Sequence, residues 1–323
     1  MKFFRYLLVL AAVAMTGCAS MGVGSRPLSE LTEKYTNAES KFVAVDDLVM
    51  HYRDEGKGPV LVLLHGVASS LHTWDGWTDE LKNSYRVIRV DLPAHGLTGP
   101  DPKMERYSIS YMVDKLDKFM NKLGLNNVAI AGNSLGGYIG WNYALYRPDR
   151  VNKLILIDAA GYPQDMPFIM DFASWPVIGE MSQLMMPRLL VGMNLDSAYG
   201  DDDKVSSTLV KRYHDLLLRP GNRKGLVNVF RTMKEQSRNP SLGDRVAQVT
   251  TPTLLMWGEE DRWVPLSIMD RFRRDLPNVS VITYEGVGHM PMEELPVQSA
   301  RDARSFLQTG KVFTLPAATA SAR

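Results

Sequence analysis

Ser134 lies at the centre of Gly132-Asn133-Ser134-Leu135-Gly136-Gly137, a G-x-S-x-G pattern. The apolar run 128–131 precedes it, and residues 138–146 after it are apolar and long enough for a helix stopped by Pro148. The pattern thus falls between a short buried strand and a helix. A turn this sharp leaves no room for a Cβ at its flanks, so Gly132 and Gly136 are needed there. It also holds the Ser134 hydroxyl clear of the backbone, where a substrate can reach it. A serine hydroxyl is a weak nucleophile at neutral pH. It needs a base to take its proton and a third group to orient that base. The chain must therefore supply a histidine and an Asp or Glu. His289 fits the base: it follows the strand-like run 279–284 and sits in the Gly-rich turn Gly286-Val287-Gly288-His289.

The elements that must position these groups alternate. Residues 42–45 and 48–52 flank Asp46-Asp47 as a hairpin. Residues 60–64 form a continuous apolar run, as in a strand covered on both faces, and lead into His65-Gly66-Val67-Ala68. A helix-like stretch over 74–83, a strand over 86–90 and a helix over 108–123 follow, the last with Ser108 as N-cap and Gly124 as stop. Residues 151–157 read as a further buried strand ending at Asp158. This alternation predicts an α/β fold, a mostly parallel sheet wrapped by helices. From residue 161 to 246 no clear strand is legible. That region holds Pro163, Pro167, Pro176 and Pro187, helix-like stretches over 204–218 and 224–236, and six methionines between Met166 and Met193. It reads as a helical cap inserted between two parts of one core, 41–160 and 247–310. The methionines are expected mainly as core filler, some of them lining the cap–core cleft, since thioethers adapt to varied apolar groups.

Taken together, His65-Gly66, Asp91-Leu92-Pro93-Ala94-His95-Gly96, Gly132 to Gly137, Gly258-Glu259-Glu260-Asp261 and Gly286-Val287-Gly288-His289 resemble a capped α/β-hydrolase-fold protein over roughly residues 41–309. The resemblance implies a Ser–acid–His order. Its G-x-x-D pattern points to Asp261 as the acid, with Asp158 as competitor because some relatives place the acid there. It also implies an oxyanion hole made by the backbone N–H groups of Leu135 and Val67. His65 is expected to brace its loop, while His95 belongs to a structural turn and Asp91 is structural. His51, His72 and His214 have no supporting context. No cofactor or metal is required. A Ser nucleophile argues against the dehalogenases and epoxide hydrolases of this fold, which use Asp. The expected activity is hydrolysis of a small-molecule carboxylic ester with an apolar or lipidic acyl group. The alternative is a carbon–carbon bond hydrolase of the meta-cleavage type, which Asn133 resembles, or an amide or lactone hydrolase. Outside enzymes, a non-catalytic binder on the same fold is the remaining alternative.

The ends of the chain read differently. Lys2 and Arg5 precede an apolar stretch over residues 7–15, the pattern of a signal peptide over 1–17 that is too short to span a bilayer. Met15-Thr16-Gly17-Cys18 resembles a bacterial lipobox, although Met15 and Thr16 depart from its usual residues. Cys18, the only cysteine, would be lipidated and anchor the protein to a membrane, the outer membrane facing the periplasm in a Gram-negative source. Residues 18–40 read as a polar tether on which Leu28 and Leu31 could pack against the body, and 311–323 as a disordered tail. The 323 residues carry a net charge of +1, and basic and acidic residues nearly balance without Lys2 and Arg5. Nothing suggests nucleic acid as a partner. With one cysteine no intramolecular disulfide exists, so folding rests on the core.

Overall fold

The computed structural model describes residues 20–310. The stretch read as a signal peptide, Cys18 and the stretch read as a tail over 311–323 lie outside the described residues. Eight strands form one sheet in the order β1-β2-β4-β3-β5-β6-β7-β8. β1 (Ser40–Val45) and β2 (Leu48–Glu55) make the expected hairpin, with Val45 opposite Leu48 and Asp46 at φ 52° in the turn. β2 also runs antiparallel to β4 (Arg86–Val90), and every other pairing is parallel, through β3 (Val60–Leu64), β5 (Val128–Asn133), β6 (Val151–Ile157), β7 (Thr253–Gly258) and β8 (Val279–Tyr284). β5 is buried along its length and β3 from Leu61 on, because helices cover both faces of a parallel sheet.

In chain order the helices are α1 (Leu28–Tyr35), α2 (Asp75–Leu81), α3 (Ile109–Lys122), α4 (Leu135–Tyr146), then α5 (Phe168–Ala173), α6 (Pro176–Leu184), α7 (Arg188–Ala198), α8 (Ser207–Leu217) and α9 (Asn222–Ser237), and finally α10 (Leu266–Asp275), α11 (Pro291–Glu294) and α12 (Pro296–Thr309). The stretch expected over 74–83 begins as a 3-10 turn at Leu71–Trp74 and continues as α2. α3 is capped as its sequence predicts: the Ser108 side chain accepts from Tyr111 N, and Gly124 takes φ +65° just beyond the end. Helices α5 to α9 fill the long interval between β6 and β7, where only two were legible. Pro176 opens α6, and Pro167 and Pro187 cap α5 and α7, positions where a missing N–H costs nothing.

The tether reading needs correction. Its second half is α1, which docks on the body. Leu31 is buried with Leu97 and Leu216, while Leu28 stays exposed. Asp215 on α8, its side chain buried, accepts from Tyr35 Oη at 2.7 Å and pairs with Lys34 at 2.6 Å, Arg26 at 3.2 Å and Lys211 at 2.7 Å. Burial pushes the Asp215 carboxyl up, and these donors outweigh it, bringing it down to about 2. Asp215→Ala should therefore release α1 and lower stability by about 2 kcal/mol, a value kept small because the lysines are half exposed. Because that carboxyl sits below its unfolded value, its contribution is present at neutral pH and is lost as pH falls toward 2. Denaturant titrations should show a smaller difference between the two forms at pH 3 than at pH 7.

Candidate active site

The carboxyl ends of the parallel strands gather at one edge of the sheet, where open α/β sheets hold their sites. Ser134 follows β5 and opens α4 at φ 53°, a left-handed conformation uncommon for a residue with a side chain. The surroundings enforce it. A Cβ on Gly132 would lie 2.3 Å from Gly136 O, and one on Gly136 2.1 Å from Leu64 O. The two glycines singled out in the sequence are thus the positions where β3, β5 and α4 come too close for a side chain.

His289, after β8, has Nδ1 2.8 Å from Asp261 Oδ2. The other Asp261 oxygen accepts from Trp263 N at 2.7 Å and Val264 N at 3.0 Å. Four groups hold the His289 segment. His289 N donates to Ala198 O at 2.7 Å, its carbonyl accepts from Asn133 Nδ2 at 3.0 Å, Gly288 N donates to Glu294 Oε1 at 2.8 Å, and the Trp263 ring lies 5.0 Å from the imidazole. The Asn133 bond joins the residue before Ser134 directly to the histidine backbone. His289 Nε2, the nitrogen left over once Asp261 has engaged Nδ1, is buried without a hydrogen-bond partner.

Asp158, at the end of β6, is the competing acid, and it does not hold the imidazole. Its Oδ1 accepts from Gly258 N at 3.0 Å, and Oδ2 is buried and unpartnered. Ligand atoms of Asp158, Asp261 and His289 all lie within 4.8 Å of one another. Burial, and then the Asp261 charge, push the Asp158 carboxyl well above the usual carboxylate range. It is therefore held as a neutral acid beside Asp261.

Leu135 N begins α4, where the first N–H groups have no partner within the helix. Val67 follows Gly66, whose hypothetical Cβ would lie 3.3 Å from Ser134 Cβ, so the β3 loop lies against the elbow. Val67 and Ser134 line a narrow cavity together with Tyr138, Met170, Trp263 and Leu242. No charged side chain lines it. A more polar chamber opens beside it, sharing Gln164, Met166 and Ser237 and adding Lys234 and Arg238. Of the cap methionines, Met166, Met170 and the unanticipated Met233 line the cavity, whereas Met181 and Met193 are exposed, contrary to the core-filler expectation.

The remaining histidines are structural. His65 Nδ1 donates to Gly66 O and its Nε2 accepts from Leu92 N, which fixes the tautomer, and burial lowers its pKa. Burial takes His95 down to about 3. Asp91 accepts from Leu71 N, Leu97 N and His51, which organises the turn as expected. His72 bonds the Tyr35 carbonyl, and His214 bonds the Met186 carbonyl. Sequence reasoning missed the positioning roles of Asn133, Trp263 and Glu294. A Trp two residues after the acid was a usable signal. Glu294 was not, because two of its donors, Gly200 N and Asp201 N, come from the cap.

Comparison with known proteins agrees with this architecture. Residues 59–296 match the family model for the alpha/beta hydrolase fold. The 2-hydroxy-6-oxononadienedioate/2-hydroxy-6-oxononatrienedioate hydrolase 2 of Pseudomonas putida is 30% identical over 277 residues, covering 81% of this chain and 92% of the relative. Among solved structures, a meta-cleavage product hydrolase from Pseudomonas fluorescens IP01 superposes with TM-score 0.75 at 22% identity, covering 84% of this chain and 99% of that one. A membrane phospholipase A, described as a bacterial virulence factor, gives TM-score 0.68 at 25% identity and covers 96% of this chain and 99% of its own. The chain belongs to the α/β-hydrolase fold family, and hydrolysis is the activity that its fold and relatives support.

Proposed function

We propose that the protein is a serine hydrolase cleaving carboxylic esters of apolar acyl groups, with Ser134, His289 and Asp261 as its triad. The observation that carries this reading is the cavity beside Ser134, apolar and free of charged side chains. An acyl chain gains on entering such a cavity, whereas a carboxylate would lose its hydration with nothing to replace it. His289 Nε2 takes the Ser134 proton as Oγ attacks the carbonyl carbon. The oxyanion is held by Leu135 N and Val67 N, and the leaving alkoxide departs with the proton from His289. Water then repeats the sequence, releasing the acid and restoring Ser134.

A second reading is carbon–carbon bond hydrolysis, and the relatives fit it at least as well as the first. The Pseudomonas putida hydrolase acts, by its name, on a 2-hydroxy-6-oxo dioate, and Asn133 in the elbow resembles the carbon–carbon bond hydrolases. In the outer chamber Lys234 already pairs with Asp171, which leaves Arg238 as the cation to meet one carboxylate of such a substrate. Turnover of p-nitrophenyl esters of rising chain length, beside a 2-hydroxy-6-oxo dienoate, separates the two. The ester reading predicts kcat/KM rising roughly threefold to fourfold per methylene until the cavity fills, as transfer of about 0.8 kcal/mol per methylene requires. A dienoate hydrolysed faster than every ester would establish the second reading instead.

We also propose that Cys18 carries lipid and anchors the mature chain to a membrane, on the strength of the basic and apolar residues before it. Radiolabelled fatty acid should enter the wild-type chain and not Cys18→Ser. Label retained in the variant contradicts the assignment.

A further inference from the structure

The cap turns an apolar face outward. On α5 and just beyond it, Phe168, Phe172 and Trp175 recur at helical spacing and are exposed, with the two Phe rings stacked at 5.8 Å and Trp175 edge-on to Phe172 at 5.3 Å. On α6 the same spacing brings Val177, Met181 and Leu184 to the surface. On α7 it brings Leu189 and Met193. Phe168 is 75% exposed, Leu184 71% and Leu189 74%, the reverse of a soluble helix, which turns its apolar stripe inward. Between Phe168 and Met193 the charged residues are Asp171, Glu180 and Arg188. Each has a partner elsewhere in the cap: Asp171 pairs with Lys234, Glu180 with Arg231, and Arg188 donates to Ser207 O.

The N-terminal segment meets this region. Met186 N donates to Gly22 O at 3.3 Å, Val23 forms a bridge with Met185, and Arg223 Nη1 holds Gly22 O at 2.6 Å. Residue 22 is thus fixed at the junction of α6 and α7, between Leu184 and Leu189. Four residues span at most about 14 Å, so Cys18 cannot lie farther than that from Gly22. Any membrane attachment through residues 1–18 holds this junction at the bilayer.

We propose that the exposed face of α5, α6 and α7 is a membrane-docking surface that seats the cap in the lipid interface. This rests on N-terminal anchoring and is independent of whether the scissile bond is an ester. Tryptophan suits that position, with its ring in the apolar layer and its N–H in the polar one. Docking also brings the bilayer to the substrate entrance. Met166, Pro167 and Met170 line the cavity at Ser134, and Phe168 lines the adjoining chamber, so a lipidic substrate enters past α5 without crossing water.

The test is tryptophan quenching by lipids brominated on their acyl chains, in phosphatidylcholine–phosphatidylglycerol vesicles carrying the full chain. Trp175 is the exposed indole, and the other five are buried, so loss of emission reports this face. Wild type should float with the vesicles and lose emission to the brominated lipid, and Trp175→Phe should abolish that loss. The double variant Leu184→Glu/Leu189→Glu should still float but lose most of its quenching. Wild type that floats without quenching, or quenching that persists in Trp175→Phe, overturns the docking surface while sparing the anchor. A chain that does not float overturns both. A detergent-solubilised dimer split by Leu184→Glu/Leu189→Glu, with no quenching in vesicles, assigns the face to a second copy and overturns the proposal. None of these readouts depends on activity, so failure here leaves the ester reading standing.

Discussion

Ser134→Ala and His289→Ala should each lower kcat/KM by roughly 10⁴–10⁶-fold, and the double variant should be little worse than either. The reason is that the two groups act as one unit. Without the imidazole the Ser134 hydroxyl keeps its proton, and without the hydroxyl the imidazole has nothing to activate. Asn133 Nδ2 ties the backbone before Ser134 to the His289 carbonyl, and Asp261 engages Nδ1, leaving Nε2 for the proton. Circular dichroism should be unchanged, since neither side chain belongs to the apolar core. Multiplicative losses in the double variant would mean that the groups act separately, and the triad assignment would fail.

Asp261→Asn should cost about 10⁴-fold, while Asp158→Asn should leave activity near wild type. The asymmetry follows from what each carboxyl touches. In Asp261→Asn, Oδ1 can still accept from Trp263 N and Val264 N, but the amide then turns an N–H toward His289 Nδ1 and favours the wrong tautomer. Asp158 has no bond to the imidazole, and its raised carboxyl already behaves as a neutral group. Asparagine keeps that neutrality and tolerates the left-handed backbone at residue 158, where φ is 45°. A second readout separates the two acids. A carboxyl held above its unfolded value binds a proton in the folded state that the unfolded state has released. Wild-type stability should therefore fall as pH rises from about 4. Asp158→Asn should remove that slope in denaturant titrations between pH 5 and pH 8. Loss of activity in Asp158→Asn larger than in Asp261→Asn would transfer the acid role to Asp158.

The parts of this molecule that were legible share one property: their determinants are local. The elbow could be read because Gly132, Ser134 and Gly136 lie within five residues of one another, and a strand and a helix flank them. The β1–β2 hairpin and the Ser108 cap are local in the same way. What escaped reading depends on partners far along the chain. α1 is held by Asp215, 180 residues beyond Tyr35, so its polar sequence looked like a tether. Three cap helices were hidden because their exposed faces are apolar, which blurs the helical pattern. Between Asp158 and Asp261 the G-x-x-D pattern favoured Asp261 without excluding its competitor. Both follow strands, and the fold shows that it is Asp261 that meets His289 Nδ1.

Mass spectrometry of the intact chain, quenched in acid during turnover of a medium-chain p-nitrophenyl ester, tests the central claim most directly. Ser134 should gain the mass of the acyl group, located on the peptide that contains it. The adduct should disappear as substrate is exhausted and never form in Ser134→Ala. Ester turnover with no acyl group on the chain at any time, or an acyl group on another residue that forms and decays at the rate of turnover, contradicts the account.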